Sequence, residues 1–259
     1  MTFWHDSFYR FVYIDDPEAL GKKLEQLCNE LEVKGSIILA PEGINAMLAG
    51  TEEALDKVQA FLDSDKRFKN IFYKRTLSHK MPFRRLRIRI KDEIVPLGID
   101  GVSAIGKTGI EVPPEEWREL IKEDDVILID NRNSFEYELG HFKGAIDPKV
   151  DNFRHFADYV KANLDDWKDK KVAMYCTGGI RCEKTTAWMK DLGMEVYQLE
   201  GGIINYFAQI PDADKDYEGE CFVFDWRICL DTKLEETETS IEDVDRLQYG
   251  EALVRKGLR

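Results

Sequence analysis

No apolar run in the sequence comes near the roughly 20 residues that a bilayer-crossing helix requires. The first residues, Met-Thr-Phe-Trp-His-Asp, carry neither the basic start nor the apolar core of a secretory leader. Cysteine is sparse: five residues, an odd number, at spacings that outline no disulfide framework. There is no Cys-x-x-Cys pair and no Cys/His cluster, and the four histidines stand well apart, so no metal site is expected. These absences lead to the expectation of a cytoplasmic protein in a reducing compartment, with no membrane contact. What is present is an ordinary globular composition, 43% hydrophobic and 34% charged, over 259 residues, a length that suggests two domains.

The net charge of −13 taken alone argues against a nucleic-acid partner. Its distribution argues otherwise. Residues 66–91 contain eleven Lys or Arg and no acid, whereas residues 211–245 contain thirteen acids and three bases. The first block is an electrostatic footprint suited to a polyanion.

Residues 1–95 read as one α+β domain. Phe8-Tyr-Arg-Phe-Val-Tyr-Ile14 predicts a strand. Pro17 starts a helix with Leu20, Leu24, Leu27 and Leu31 on one stripe, and Cys28 packs within it. Gly35-Ser-Ile-Ile-Leu-Ala40 predicts a second strand, Pro41–Asn45 a turn, and residues 46–49 a short third strand. Thr51 caps the next helix, whose core side is Val58, Phe61 and Leu62. Residues 69–75 are expected to be extended. In Phe83-Arg-Arg-Leu-Arg-Ile-Arg-Ile-Lys91 the alternation puts Leu86, Ile88 and Ile90 on one face and Arg85, Arg87, Arg89 and Lys91 on the other. The β-α-β-β-α-β order is the ferredoxin-like split unit. Lys74, Arg75, Lys80 and Arg84 join this row with no acid nearby in sequence, which makes Lys74, Arg75, Lys80, Arg84, Arg85, Arg87 and Arg89 candidate phosphate contacts. The competing account is a solvated sheet face.

Residues 96–112 read as a linker. Gly101-Val-Ser-Ala-Ile-Gly-Lys-Thr108 matches the spacing of a nucleotide phosphate loop, but no strand leads into it and Gly109 breaks the helix that should follow, so no nucleotide site is assigned. Residues 113–210 alternate strand and helix as a doubly wound α/β domain with a parallel sheet. Val126-Ile-Leu-Ile129 is a buried strand with Asp130-Asn-Arg-Asn133 at its carboxyl end, and Gly140-His-Phe-Lys-Gly-Ala145 leads to another strand-like piece. Residues 153–164 are helical. Glu195-Val-Tyr-Gln-Leu199 is a further strand, followed by Gly201-Gly202. Residues 211–259 read as an acidic C-terminal tail, with aromatics at 217–226 able to pack on a domain and the remainder beyond about 232 helical or loose.

The chemistry concentrates after the strand Val172–Tyr175. Cys176-Thr-Gly-Gly-Ile-Arg181 places a cysteine at the strand end, two glycines to curl the chain, and a helix start. Several backbone N–H groups of such a loop, whose residues are Thr177, Gly178, Gly179, Ile180 and Arg181, point at one spot, and the helix end adds about half a positive charge. A thiol there is held as thiolate, against an ordinary pKa of roughly 8.5. The alternative is a structural buried cysteine. Four residues separate Cys176 from Arg181, one fewer than in tyrosine-type phosphatases, and the tighter bowl favours sulfur or oxygen chemistry over phosphate hydrolysis. Arg181 is a candidate for fixing a developing anion or clamping the loop, with a plain salt bridge as the alternative. Cys182 is a candidate resolver of an oxidised Cys176, against plain packing, and Glu183 stands beside it. Asp130 is a candidate anchor accepting loop N–H groups, and Arg132 a supporting residue that can pair with Glu136 four residues on. His141 is read as a turn histidine holding its own loop.

Cys176–Lys184 together with Asp130–Asn133, Gly140–Ala145 and Gly201-Gly202 resembles a rhodanese domain. Gly35–Asn45 and Pro82-Phe-Arg-Arg-Leu-Arg-Ile-Arg89 narrow the resemblance to the rhodanese-type tRNA uridine hydroxylase family, the TrhO-like proteins. The resemblance runs from about residue 8 to 230. It implies an acylphosphatase-like ferredoxin fold ahead of the rhodanese domain. It also implies oxygen-dependent hydroxylation of the tRNA wobble uridine to 5-hydroxyuridine. Dioxygen would be a co-substrate, no other cofactor is identified, and Cys176 would be the required residue. No protein partner is evident. A sulfurtransferase that carries a Cys176 persulfide to a thiophilic or tRNA acceptor is the alternative, and a non-catalytic binding module a second. Two features depart from the family: Asn131 stands where an apolar residue is usual, and no cysteine-rich stretch follows Cys229.

Overall fold

The computed structural model describes residues 2–247 and divides them into two compact units: residues 2–96 with 103–107, and residues 97–102 with 108–247. Among the described residues, no helix is long and apolar enough to cross a membrane.

The first unit runs β1 (Phe3–Phe11), α1 (Pro17–Glu30), β2 (Lys34–Ala40), β3 (Gly43–Gly50), α2 (Glu52–Asp63), β4 (Lys74–Ser78) and β5 (Leu86–Ile90). The sheet order is β4-β1-β3-β2-β5. The first four strands are the antiparallel ferredoxin-like arrangement, and β5 adds a fifth strand parallel to β2 at the edge. Both helix starts follow from sequence chemistry. The Asp16 carboxylate accepts the Ala19 N–H ahead of Pro17, and the Thr51 hydroxyl accepts the Ala54 N–H. Leu20, Leu24, Cys28, Leu55, Val58 and Leu62 are buried against the sheet, while Leu27, Leu31 and Phe61 pack at its margin.

Three strands differ from expectation. β1 spans Phe3–Phe11 rather than residues 8–14, because its ladder with β3 runs from Trp4 to Phe11. The turn between β2 and β3 is only Pro41-Glu42, because Ala40 already pairs with Gly43, so β3 is longer than residues 46–49. The fourth strand begins at Lys74 rather than 69, because Phe68 and Ile71 plug the core from the preceding loop.

The second unit runs β6 (Ile110–Val112), α3 (Pro114–Leu120), β7 (Val126–Asp130), α4 (Ser134–Leu139), β8 (Gly140–Phe142), α5 (Phe156–Trp167), β9 (Lys171–Tyr175), α6 (Ile180–Asp191), β10 (Val196–Leu199), α7 (Gly202–Gln209), β11 (Tyr217–Gly219), β12 (Cys221–Phe222), β13 (Cys229–Leu230) and α8 (Ile241–Leu247). Strands β6-β10-β9-β7 form an all-parallel sheet. The carboxyl ends of β7, β9 and β10 therefore deliver Asn131, Cys176 and Gly201 to one end of the sheet, where ligands of α/β folds bind. Phe142 centres an aromatic core, meeting Trp117, Tyr175, Tyr206 and Tyr217 edge-on.

The end of the expected linker, Ile110–Val112, is the edge strand of this sheet, paired with Tyr197–Leu199. The phosphate-loop match at residues 101–108 leads into that strand and opens no helix. The piece after Ala145 is a single bridge from Ile146 to Ile129 rather than a strand. Through Leu247 the segment expected as an acidic tail is part of the unit. β11 pairs with β8, β12 pairs with β13, and Val244 of α8 packs with Phe135, Phe222 and Cys229. Residues 248–259 of that segment lie outside the described residues.

Candidate active site

Cys176 is the first residue past β9, and it is buried. Its sulfur accepts the Gly179 N–H at 3.1 Å, and the Arg181 and Cys182 amides and the Cys182 thiol stabilise its anion. Gly179 is left-handed, with φ of 96°, and sits at the N-cap of α6; this is the curl that aims the amides inward. The loop carbonyls must then point away, and α7 receives them. The Ile203 N–H donates to the Cys176 carbonyl at 3.0 Å and the Ile204 N–H to the Thr177 carbonyl at 3.2 Å. Gly202 makes this approach possible. A Cβ there would lie 2.5 Å from the Cys176 carbonyl oxygen and 2.8 Å from the Gly179 nitrogen. The paired glycines after β10 were visible in the sequence, and this seating of the cysteine loop is their structural reason.

Burial alone pushes the Cys176 thiol up. The Cys182 S–H, the Arg181 guanidinium and the two amides outweigh it and bring the thiol down to about 5. Cys28, Cys221 and Cys229 show what burial does without such partners: each is pushed up to about 12. Cys182 is raised well above the usual thiol range, first by burial and then by its bond to the Cys176 anion. It remains a protonated donor. Asn131, the departure from the family pattern, is buried and donates its side-chain amide to the Cys182 sulfur at 3.8 Å and to Thr185 at 3.1 Å.

Arg181 clamps the loop. Its guanidinium makes two bonds to the Glu136 carboxylate, 2.7 and 2.8 Å, and one of 3.3 Å to Thr177. Glu136 is the node that sequence reasoning missed. It also accepts the Thr177 hydroxyl and the Asn133 N–H. Burial opposes its charge, and Arg181 overcomes that and holds its carboxyl below the usual range. The signal was an acid three residues after Asn133 at a helix start, a capping-box pattern.

Arg132 therefore does not pair with Glu136. It precedes α4, so helical i,i+4 spacing does not apply, and its guanidinium takes Asp130 at 2.8 and 2.6 Å and the Gly140 carbonyl at 2.6 Å. Asp130 accepts the Arg132 N–H and the Tyr175 hydroxyl rather than amides of the cysteine loop. Both residues are fully buried scaffold beneath the loop. Glu183 lies in the first turn of α6, its N–H donating to the Gly179 carbonyl. His141 bonds the Tyr137 carbonyl and stacks on the Tyr137 ring.

The 223–228 turn also reaches this region. The Arg181 guanidinium lies 5.7 Å from the centre of the Phe224 ring. Phe224 and Trp226 remain 44% and 52% exposed, on a turn braced by a buried Asp225–Arg227 pair. No residue pattern in the sequence distinguished this aromatic pair from packing residues. Among the described residues, no group of three or more His, Cys, Asp or Glu is placed to hold a metal ion.

In the first unit the basic row is smaller than expected. Lys74 is buried with its ammonium over the rings of Tyr9 and Phe72, because β4 turns Lys74, Thr76 and Ser78 inward. Arg75 is neutralised by Asp6 at 2.7 Å and Asp56 at 2.8 Å, residues far from it in sequence. Lys80, Arg84, Arg85 and Arg89 are exposed and Arg87 half-buried, and among the described residues no carboxylate pairs with them.

Two outcomes are expected. Alkylation of Cys176 by iodoacetamide should reach half its plateau rate near pH 5, the thiolate being the major species above that value, and Arg181→Gln should move the midpoint upward by about one to three units. Gly202→Ala should move it upward as well, with a loss of thermal stability measurable by calorimetry, because the new methyl displaces the loop; an unchanged midpoint would remove α7 from the cradle.

A model of the UPF0176 acylphosphatase-like domain matches residues 5–94, and a rhodanese-like domain model matches residues 113–209. The tRNA uridine(34) hydroxylases of Legionella pneumophila strains Paris and Corby are each 48% identical over 230 residues, 88% of this chain and 91% of theirs. A solved rhodanese-related protein from Thermoplasma volcanium aligns with 39% of this chain and 93% of its own, at 22% identity and a TM-score of 0.32, and adds nothing to the assignment. With an acylphosphatase-like domain followed by a rhodanese domain, and that identity over most of both chains, this protein belongs to the tRNA uridine(34) hydroxylase family.

Proposed function

We propose that this protein hydroxylates uridine 34, the wobble base of tRNA, to 5-hydroxyuridine in the cytoplasm, with dioxygen as co-substrate and no resident cofactor. The observation that carries the reading is the ionised, amide-cradled Cys176 in a chain 48% identical to hydroxylases of that base. Uracil C6 is electrophilic through conjugation with the C4 carbonyl. A thiolate that adds there places carbanion character on C5, the carbon that gains oxygen. The wobble base lies in a single-stranded loop, from which extrusion into a site is cheap. Phe224 supplies a face on which such a base stacks, beside Arg181. Lys80, Arg84, Arg85, Arg87 and Arg89 contact the phosphate backbone; Lys74 and Arg75 do not, being occupied within their own unit.

Nucleoside mass spectrometry on tRNA from a strain lacking the gene should show 5-hydroxyuridine lost, restored by the wild-type gene and not by Cys176→Ser. If 5-hydroxyuridine persists while the purified protein transfers sulfur from thiosulfate to cyanide through a Cys176 persulfide, the sulfurtransferase reading replaces this one. Arg85→Glu with Arg87→Glu should weaken tRNA binding about tenfold or more at moderate salt and flatten its salt dependence, with Cys176 alkylation unchanged. Phe224→Ala should cost about 1–3 kcal/mol of tRNA binding, the worth of one base stack.

A further inference from the structure

Inserting one atom of dioxygen into a C–H bond requires two electrons for the second atom, and hydroxylation of uridine 34 as proposed above leaves their source open. Resting on that reading, we infer that Cys176 and Cys182 are the source, a dithiol that closes to a disulfide once per hydroxylation.

Three observations place the pair. Cys182 lies in the first turn of α6, whose N-cap Gly179 donates its N–H to the Cys176 sulfur at 3.1 Å, and the Cys182 thiol stabilises the Cys176 anion. Asn131, just past the end of β7, donates its side-chain amide to the Cys182 sulfur at 3.8 Å and so fixes the position of that sulfur. Both cysteines are buried to within 1% of full exclusion from solvent, which keeps a bulky thiol away from either until the loop opens. Gly178 and Gly179 separate them, the residues best able to let the loop adjust as the sulfurs close to the roughly 2 Å of a disulfide. The remaining cysteines contribute nothing here. Cys28 lies in the other unit, and Cys221 and Cys229 are packing residues of β12 and β13.

Atoms and electrons balance. The uracil C5–H bond is replaced by C5–OH, the O–O bond breaks, and the second oxygen leaves as water. Cys182 gives up its S–H proton, solvent supplies the other proton of the water because Cys176 is already the anion, and an S–S bond forms. Uracil and dioxygen with two thiols thus give hydroxyuracil, water and one disulfide, a two-electron oxidation of the dithiol. The difference between the two cysteines suits this division. Cys176 enters as the anion that can attack carbon, and Cys182 enters with its proton. Repeated turnover then requires an external thiol, small molecule or protein, to reopen the bridge by exchange.

The test is a single turnover. Full-length enzyme is reduced with dithiothreitol, freed of excess thiol without air, mixed with unmodified tRNA and exposed to dioxygen. After an acid quench, 5-hydroxyuridine and the Cys176–Cys182 bridged peptide are both quantified by mass spectrometry. The two should rise together toward about one equivalent each per enzyme, and the bridge should not form on that timescale when tRNA is omitted. Cys182→Ala and Cys182→Ser should each lower that yield about tenfold or more, with tRNA binding and circular dichroism unchanged.

The inference is overturned if wild-type enzyme makes a full equivalent of product while both cysteines stay reduced. It is equally overturned if the bridge forms as fast without tRNA, or if both Cys182 variants keep the wild-type yield. A separate arm with excess dithiothreitol tells the two readings apart. Product there with no bridge in the single turnover removes the dithiol and keeps the hydroxylase. No product there removes both.

Discussion

The site depends on a reversal of peptide orientation in one loop. The loop after β9 must turn N–H groups, that of Gly179 first, toward the Cys176 sulfur, and that obliges loop carbonyls to face protein rather than water. Two of those carbonyls are received by the first free amides of α7, from Ile203 and Ile204. The helix thus uses donors that any helix start leaves unsatisfied and in doing so fixes the loop that makes the thiolate. One exchange solves two problems, orphan amides on α7 and orphan carbonyls on the loop. It also ties the reactive group to the end of β10 as well as β9. The cradle is consequently a property of the parallel sheet, since neighbouring strands must end at the same level for α7 to reach the loop.

The chain uses one local device repeatedly. In Asp65-Lys-Arg67, Asp130-Asn-Arg132 and Asp225-Trp-Arg227 the carboxylate accepts both the backbone N–H and the guanidinium of the arginine two residues on. The last two pairs are buried, where a single unpaired charge would cost several kcal/mol. Because each partner is supplied two residues away, the pair forms within its own turn and needs no long-range assembly to be neutral. Glu136–Arg181 is the exception. Its partners come from different strand–helix loops, 45 residues apart, so it joins the 131–136 loop to the cysteine loop instead of bracing a single turn. Removing either partner would leave the other charge buried, which makes this pair a coupling element as well as a clamp.

That contrast explains which features the sequence disclosed. The cysteine loop was legible because strand, nucleophile, paired glycines and helix start are consecutive, and the physics that lowers a thiol pKa is local to them. The ferredoxin-like order and its two helix caps were legible for the same reason. Arg132 was assigned the wrong partner because i,i+4 logic holds only inside a helix, and α4 begins two residues later at Ser134. Arg75 looked unrelieved because its acids, Asp6 and Asp56, come from β1 and α2. Lys74 looked exposed because nothing in a run of basic residues announces a cation tucked over Tyr9 and Phe72. The segment after residue 210 looked like a tail because its composition is acidic, yet Tyr217, Cys221, Cys229 and Leu230 are all core residues. Composition recorded its surface and hid its interior.

A net charge of −13 would by itself disfavour a thiolate, and the acidic stretch that contributes most to it belongs to the same unit as Cys176. Distance and pairing resolve the conflict. Exposed charges act over about 8–10 Å at physiological salt, and several of these acids are already matched: Asp212 and Asp216 by Arg118, Asp225 by Arg227. Against them stand an amide hydrogen bond of 3.1 Å, the Cys182 thiol and the Arg181 guanidinium. Short-range terms in a dry site exceed screened long-range ones, so the anion forms inside an acidic protein. The same reasoning holds for the basic edge of β5: what a phosphate meets is the few unpaired cations within a Debye length, whatever the average over the chain.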